Sequence, residues 1–213
     1  MSRRTPPWLK PTAGRLRLRY AGRRTVQVLV VAAVLAGLVL ADRAGLFNLA
    51  PTPDFKKYNA KSFPVVHVVD GDTLDVDCPD GPYAHTRVRL WGVDTPETVK
   101  PDTPVQYFGP EASAFTKHMA LDHVVMLRLE KRQTRDKYNR LLAYVFLPDG
   151  QMLNRLLVQE GYGYADPRYD HVLKTAFEYT QRDAMQRKVG LWKDVRDEDL
   201  PYYYQGKLKL PKD

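Results

Sequence analysis

The sequence predicts an α+β protein: a five-stranded Greek-key β-barrel of the OB type with three helices, preceded by an N-terminal transmembrane or signal-anchor helix. Three observations carry that expectation. An arginine-rich start runs directly into an unbroken apolar stretch. Five short β-rich runs follow, the first two joined by Asp70-Gly71. A helix-patterned segment lies between the third run and the fourth.

The N-terminal element comes first. The chain has 213 residues and a formal charge of +8, which by itself points to a nucleic-acid partner. The location of the charge removes that argument. Residues 1–24 hold Arg3, Arg4, Lys10, Arg15, Arg17, Arg19, Arg23 and Arg24 and no acid; without these eight, 25 of the 33 Lys+Arg remain, against 25 Asp+Glu. The rest of the chain is formally neutral, so any polyanion it binds must meet a local patch or a metal and not a global field. From Val26 to Ala41 only Gln27 interrupts the apolar character, whereas an amphipathic helix shows polar residues every third or fourth position. Sixteen helical residues rise about 24 Å, against roughly 30 Å of hydrocarbon core. Two readings stay open. One is an uncleaved anchor with the arginines on the cytoplasmic side; the other is a signal peptide cleaved near Ala41. The long basic segment favours the anchor: a single-pass protein, the membrane its partner through this helix, and the C-terminal domain extracytoplasmic.

The elements then follow in order: 1–24 a basic cytoplasmic segment, 25–41 the transmembrane or signal segment, 42–62 a linker without periodicity, 63–193 the barrel domain, and 194–213 a tail. "FPVVHVVDGDTLDVD" from Phe63 is two strands meeting in a tight turn at Asp70-Gly71. His85–Leu90 alternates into a third strand, and His123–Arg132 and Arg140–Gly150 supply two more. "GPEASAFTKHMAL" reads as a helix, with Pro110 in its first turn and Ala112, Phe115 and Met119 at helical spacing. "MLNRLLVQEGY" is a short helix stopped at Gly161, and residues 169–192 form a long amphipathic one. The tail "YYYQGKLKLPKD" carries no structural expectation.

Chemistry is limited by what the chain lacks. One cysteine, Cys78, allows no intrachain disulfide. The five histidines show no paired metal-ligand spacing, which argues against zinc. Acids are more informative. Asp70 and Asp72 flank the hairpin glycine, while Asp94 and Glu97 leave the third strand, which itself contains Arg89 between Val88 and Leu90. Strand ends of a closed barrel converge, and loop oxygens without soft donors suit Ca²⁺ or Mg²⁺.

Taken together, Asp70-Gly71-Asp72-Thr73, Arg89-Leu90 with Val93-Asp94-Thr95-Pro96-Glu97, "YFGPEASAFTK", "DKYNRLLAYVF", "MLNRLLVQEG" and a closing "GLW" resemble the staphylococcal nuclease (thermonuclease) family, in order, over Phe63–Trp192. The resemblance implies an OB-type barrel and a thermonuclease-like phosphodiesterase that hydrolyses DNA and RNA with Ca²⁺ and leaves 3′-phosphates. By motif position, Asp72, Asp94 and the Thr95 carbonyl match the family's calcium ligands. Arg89, Glu97 and Arg140 match its catalytic residues, and Lys137 and Tyr138 its contacts to the terminal phosphate. DNA and RNA are then the partners; no protein partner is inferred, and a monomer is expected. The rival is a non-catalytic nucleic-acid-binding or interaction module on the same fold. Such modules lose ligands and arginines; here all six ligand and catalytic positions keep the required type. One departure is Asn139, where the family usually has glycine. Asparagine is the side chain that best tolerates a left-handed backbone, so the turn aiming Arg140 is expected to form. Tyr169 serves either packing or base stacking.

Overall fold

A computed structural model describes residues 13–43, 52–98 and 104–210, with side chains at 25–41 in the first of these stretches. The chain falls into two units, Met1–Ala50 and Pro51–Asp213. Expectations for residues 1–12 and 44–51 lie outside the described residues.

The first unit contains one helix, α1 (Ala13–Arg43). Its large apolar side chains between Val26 and Leu40 are exposed. Among the described residues no helix is long and apolar enough to cross a membrane. That finding overturns the expected transmembrane or signal-anchor helix, and with it the membrane partner, the single-pass topology and the extracytoplasmic placement of the C-terminal domain. The physical reason is length: between Arg24 and Asp42 the uncharged stretch rises only about 25 Å, short of the roughly 30 Å hydrocarbon core. The alternative of secretion after cleavage near Ala41 is read from the same stretch, which forms part of a helix running on to Arg43.

In the second unit, five strands close a barrel: β1 (Lys61–Asp70), β2 (Thr73–Val76), β3 (Thr86–Leu90), β5 (Val124–Arg128) and β6 (Leu141–Phe146), in the order β1-β2-β3-β6-β5. A two-residue strand, β4 (Val93–Asp94), pairs outside the barrel with β7 (Tyr164–Ala165). The first strand serves two neighbours. Lys61–Pro64 pair with β5, Val65–Asp70 pair with β2, and irregular register at Val65/His67 and Val68/Asp70 bends the strand between them. Parallel pairing of β3 with β6, Val88 opposite Leu141, completes the closure. Closure removes open edges, and the interior fills with Val65, Leu74, Val88, Leu90, Leu127 and Leu141, all essentially inaccessible. Each such side chain contributes about 1.5–3 kcal/mol by burial, an upper estimate.

Helix α3 (Gly109–Ala120) lies between the third and fourth barrel strands in sequence and buries Ala112, Thr116 and Ala120, spaced four apart. Helix α4 (Leu153–Gln159) buries Asn154, whose Oδ1 accepts the Val145 N–H at 2.8 Å while its Nδ2 donates to the Trp91 carbonyl at 3.0 Å. Helix α5 (Lys174–Gln186) is shorter than its amphipathic pattern suggests, and a separate 3-10 turn covers Gly190–Lys193. Past the helix end Lys188 is left-handed at φ 51°, and the chain then brings Gly190 against Gly161. The two glycines pack backbone against backbone with positive φ, and a Cβ on Gly190 would stand 2.3 Å from the Gly161 carbonyl oxygen.

Two segments without a sequence signal are ordered. Within the expected linker, Thr52 caps helix α2 (Pro53–Tyr58) by accepting the Phe55 N–H at 3.1 Å. Tyr58 is fully buried and its hydroxyl meets Thr86 Oγ1 at 2.9 Å. In the tail, Leu200, Tyr203 and Tyr204 pack with Tyr164, Ala184, Met185, Leu191 and Trp192 into a second apolar cluster.

Candidate active site

Arg89 sits on a strand whose alternation buries Thr86, Val88 and Leu90 and turns residues 87 and 89 to the other face. Arg87 there forks onto Asp75 at 2.9 and 3.0 Å. Arg89 does more. Its Nη1 pairs with Asp72 Oδ1, and its Nη2 donates to Asp94 Oδ1 at 2.6 Å. One guanidinium thus joins the end of the β1–β2 hairpin to the strand leaving the barrel. All three side chains are largely shielded from solvent. Removing the arginine would strip buried Asp72 of its charged partner, a loss of about 3–5 kcal/mol, and leave Asp94 ion-paired with Arg168 alone.

The Asp72 carboxylate is fixed from several sides. Its Oδ2 accepts the Thr95 N–H at 2.8 Å and its Oδ1 accepts the Thr73 hydroxyl at 3.0 Å. Gly71 permits the approach of Thr95, because a Cβ there would stand 2.7 Å from Thr95 Oγ1. From behind, α3 reaches the same turn: buried Thr116 donates to the Gly71 carbonyl at 2.6 Å. Asp70 is also buried, and its Oδ1 accepts the Asp72 N–H at 3.1 Å. Burial pushes the Asp70 carboxyl above the usual carboxylate range, with Arg89 and Thr73 opposing the shift.

Arg140 is held by a residue the sequence reading did not single out. Asp136 accepts Arg140 Nε and Nη2, each at 2.7 Å, and also the backbone N–H groups of Tyr138 and Arg140, each at 2.9 Å. Asn139 has φ 65°, the left-handed conformation its side chain tolerates, so the expected turn forms. Arg135 braces it, donating to the Asn139 carbonyl at 2.9 Å while forking onto Asp54 and Asp80. Exposed Tyr138 stands beside the turn, with Lys137 Nζ 4.9 Å and Arg140 Cζ 5.4 Å from its ring centroid.

Glu97 opens the loop that precedes α3. Its N–H donates to Gln106 Oε1 at 2.9 Å, and its carbonyl accepts the Gln106 N–H at 3.0 Å. A cavity of about 610 Å³ gathers Asp72, Arg89, Asp94, Glu97, Lys137, Tyr138 and Arg140 along its walls, with Asp136, Asp166, Arg168 and Tyr169 beside them. That volume is in the range of small-ligand sites. Thr95 is not among the lining residues; it is buried and reaches the site through Asp72. Tyr169 lies 5.8 Å from the Trp91 ring and is 44 % exposed, so it packs on one face and lines the cavity as well.

Residues the sequence reading did not single out are Asp136, Thr116, Arg168 and Tyr203. The "DKYNR" spacing offered a signal for Asp136, an acid placed to accept the N–H two residues on. The others act over distances that carry no local pattern.

Among the described residues no group of three or more His, Cys, Asp or Glu side chains lies together as a metal cage. The donor set at the mouth is smaller: two carboxylates linked through one arginine, and the Thr95 main chain bonded to one of them. It is oxygen only. Such a set fits a hard cation whose six to eight oxygen ligands come in large part from water and phosphate.

The family model described as staphylococcal nuclease homologue matches residues 87–194. Over 169 residues the chain is 38 % identical to the thermonuclease of Staphylococcus hyicus, covering 78 % of this chain and 94 % of that protein. The thermonuclease of Staphylococcus intermedius is 39 % identical over 169 residues, covering 78 % and 95 %. Endonuclease YncB of Bacillus subtilis is 36 % identical over 126 residues, 58 % of each chain.

Proposed function

Because the chain belongs to the staphylococcal nuclease family, we propose that its barrel-mouth site hydrolyses phosphodiester bonds of DNA and RNA in a Ca²⁺-dependent reaction that leaves 3′-phosphates. Membership carries nuclease activity in general; metal, product and residue roles are our reading. One observation supports it above the others: Arg89 spans Asp72 and Asp94 while Glu97, Lys137, Tyr138 and Arg140 border the same cavity.

Asp72, Asp94 and the Thr95 carbonyl hold the cation, which when bound neutralises phosphate oxygens and lowers the pKa of water. Glu97 orients the attacking water and takes its proton. Arg89 and Arg140 present planar forks to the phosphate oxygens, where negative charge grows as the phosphorus becomes five-coordinate. Lysine has the charge but not the fork. Asp136 keeps Arg140 from collapsing elsewhere, so little reorganisation remains when the transition state forms. Lys137 and Tyr138 bind a terminal phosphate at the outer wall.

The test is release of acid-soluble nucleotides from single-stranded DNA and from RNA by the purified chain. Chelator should abolish release and Ca²⁺ should restore it, with ends that phosphatase treatment converts to 3′-hydroxyls. Release insensitive to chelator would remove the metal from the mechanism. No release with any divalent cation would leave a binding module on a nuclease fold.

A further inference from the structure

We infer that the C-terminal tail belongs to the site: Tyr203 is a positioning residue that fixes the Asp94 carboxylate and thereby sets divalent-cation affinity. This rests on the reading of Asp94 as a metal ligand. A carboxylate turns freely about its two side-chain bonds unless both oxygens are held, and here they are held by different parts of the chain. Arg89 takes Oδ1 at 2.6 Å. Oδ2 accepts the Tyr203 hydroxyl at 2.7 Å and Arg168 Nη2 at 3.1 Å. Tyr203 comes from 109 residues away in the chain and past the matched segment 87–194.

Both donors to Oδ2 are themselves fixed. Asp166 grips Arg168 at Nε (2.8 Å) and Nη2 (2.7 Å), and the Arg168 guanidinium lies 4.4 Å over the Tyr203 ring. Tyr203 is 8 % exposed, packed in the tail's cluster with Tyr164 and Trp192. Its neighbour Tyr204 donates to the Ala165 carbonyl at 2.6 Å, which ties the tail to β7, and β7 pairs Tyr164 with Asp94. Partners that orient a metal ligand in this way typically change metal affinity by about ten- to a hundredfold.

The test is calorimetric titration of the full-length protein with Ca²⁺ alone, comparing wild type, Tyr203→Phe and Tyr203→Leu. Phenylalanine keeps the packing and removes only the hydroxyl. It should raise the calcium Kd about ten- to a hundredfold, shift the calcium-free thermal midpoint by no more than a few degrees, and leave kcat at saturating calcium near wild type. An unchanged Kd in Tyr203→Phe, with wild type binding normally, overturns this inference and leaves the metal reading intact. A loss confined to Tyr203→Leu, or a phenylalanine variant without a cooperative unfolding transition, makes Tyr203 a packing residue and also overturns it. Wild-type protein that takes up no calcium overturns the metal reading, and this inference with it.

Discussion

Asp136→Asn isolates the value of holding Arg140 in place. The two side chains are isosteric, and the amide oxygen can still accept the N–H groups of Tyr138 and Arg140, so the turn with Asn139 at φ 65° should persist. What is lost is the charged partner of the guanidinium, now bound at 2.7 Å through both Nε and Nη2. Asp136 and Arg140 are 16 % and 27 % exposed at their side chains, enough shielding for a charge-assisted hydrogen bond to count. Such bonds contribute about 1.5–3 kcal/mol. Arg140 released to that extent spends most of its time in geometries that do not meet the transition state. At about 1.36 kcal/mol per tenfold in rate, kcat should fall roughly ten- to 150-fold.

The assay is steady-state cleavage of a short single-stranded DNA at saturating calcium, with kcat and KM separated. KM should change little, because Arg140 is assigned to the transition state and not to ground-state binding. Circular dichroism should show a retained thermal transition. Turnover within twofold of wild type would refute the claim that Arg140 must be pre-aimed, even with Arg140 itself essential.

Arg140→Lys keeps the charge and removes the fork, so kcat should fall about 10²- to 10³-fold in the same assay with KM nearly unchanged; near-normal turnover would remove Arg140 from the chemistry. Glu97→Gln should bind calcium normally by calorimetry yet lose about 10²- to 10⁴-fold in kcat, whereas weakened calcium binding would make the glutamate a ligand instead. Gly71→Ala drives a methyl to within 2.7 Å of Thr95 Oγ1 and 2.9 Å of its Cβ; overpacking should cost about 1–3 kcal/mol in urea unfolding, and unchanged stability would mean that the turn relaxes freely. His171 is buried, contacts the Tyr144 hydroxyl at 3.0 Å, and has its pKa lowered by burial, against the pull of Glu130, Asp166 and Asp170 and with that of Lys174. Its folded pKa lies below the unfolded value of about 6.5, so the unfolded chain gains a proton first as pH falls. The His171 contribution is therefore full above about pH 6.5 and is lost below it; His171→Gln should flatten the decline in unfolding free energy between about pH 6.5 and 5, and an identical slope in the variant would rule the histidine out.

What the sequence made legible was local. Alternation turns Arg89 to the face opposite Val88 and Leu90, the Asp70-Gly71 turn joins two strands, and Asn139 occupies a left-handed position, all decided within a few residues. Illegible parts depend on contacts far apart in the chain. Helix α2 is only six residues long, too short for periodicity, and is held by Tyr58 against Thr86 and by Asp54 against Arg135. Helix α5 stops at Gln186, two residues before Lys188 turns left-handed at φ 51°, a stop its amphipathic pattern does not encode. The apolar N-terminal run misled for a different reason: its composition suits lipid, but its length between charged residues does not reach across.

The charge arrangement at the mouth gives the proposed cation a purpose that the chain's overall basicity does not. Asp70, Asp72, Asp94, Glu97, Asp136 and Asp166 line the cavity against Arg87, Arg89, Lys137, Arg140 and Arg168, a formal charge of −1. Each of the four arginines already has a carboxylate partner within hydrogen-bond distance. A phosphodiester approaching these walls meets paired arginines and a small net repulsion, not a basic patch. A divalent cation on Asp72 and Asp94 changes the sum to +1 and draws on the same two carboxylates that Arg89 now satisfies. Cation and substrate binding are then linked: each strengthens the other by the same factor. Single-stranded DNA should accordingly bind measurably more tightly in the presence of Ca²⁺, and the calcium Kd should fall by an equal factor when DNA is present. If Asp72→Asn or Asp94→Asn kept the wild-type gain in DNA affinity on adding Ca²⁺, the cation would act somewhere other than between these two acids.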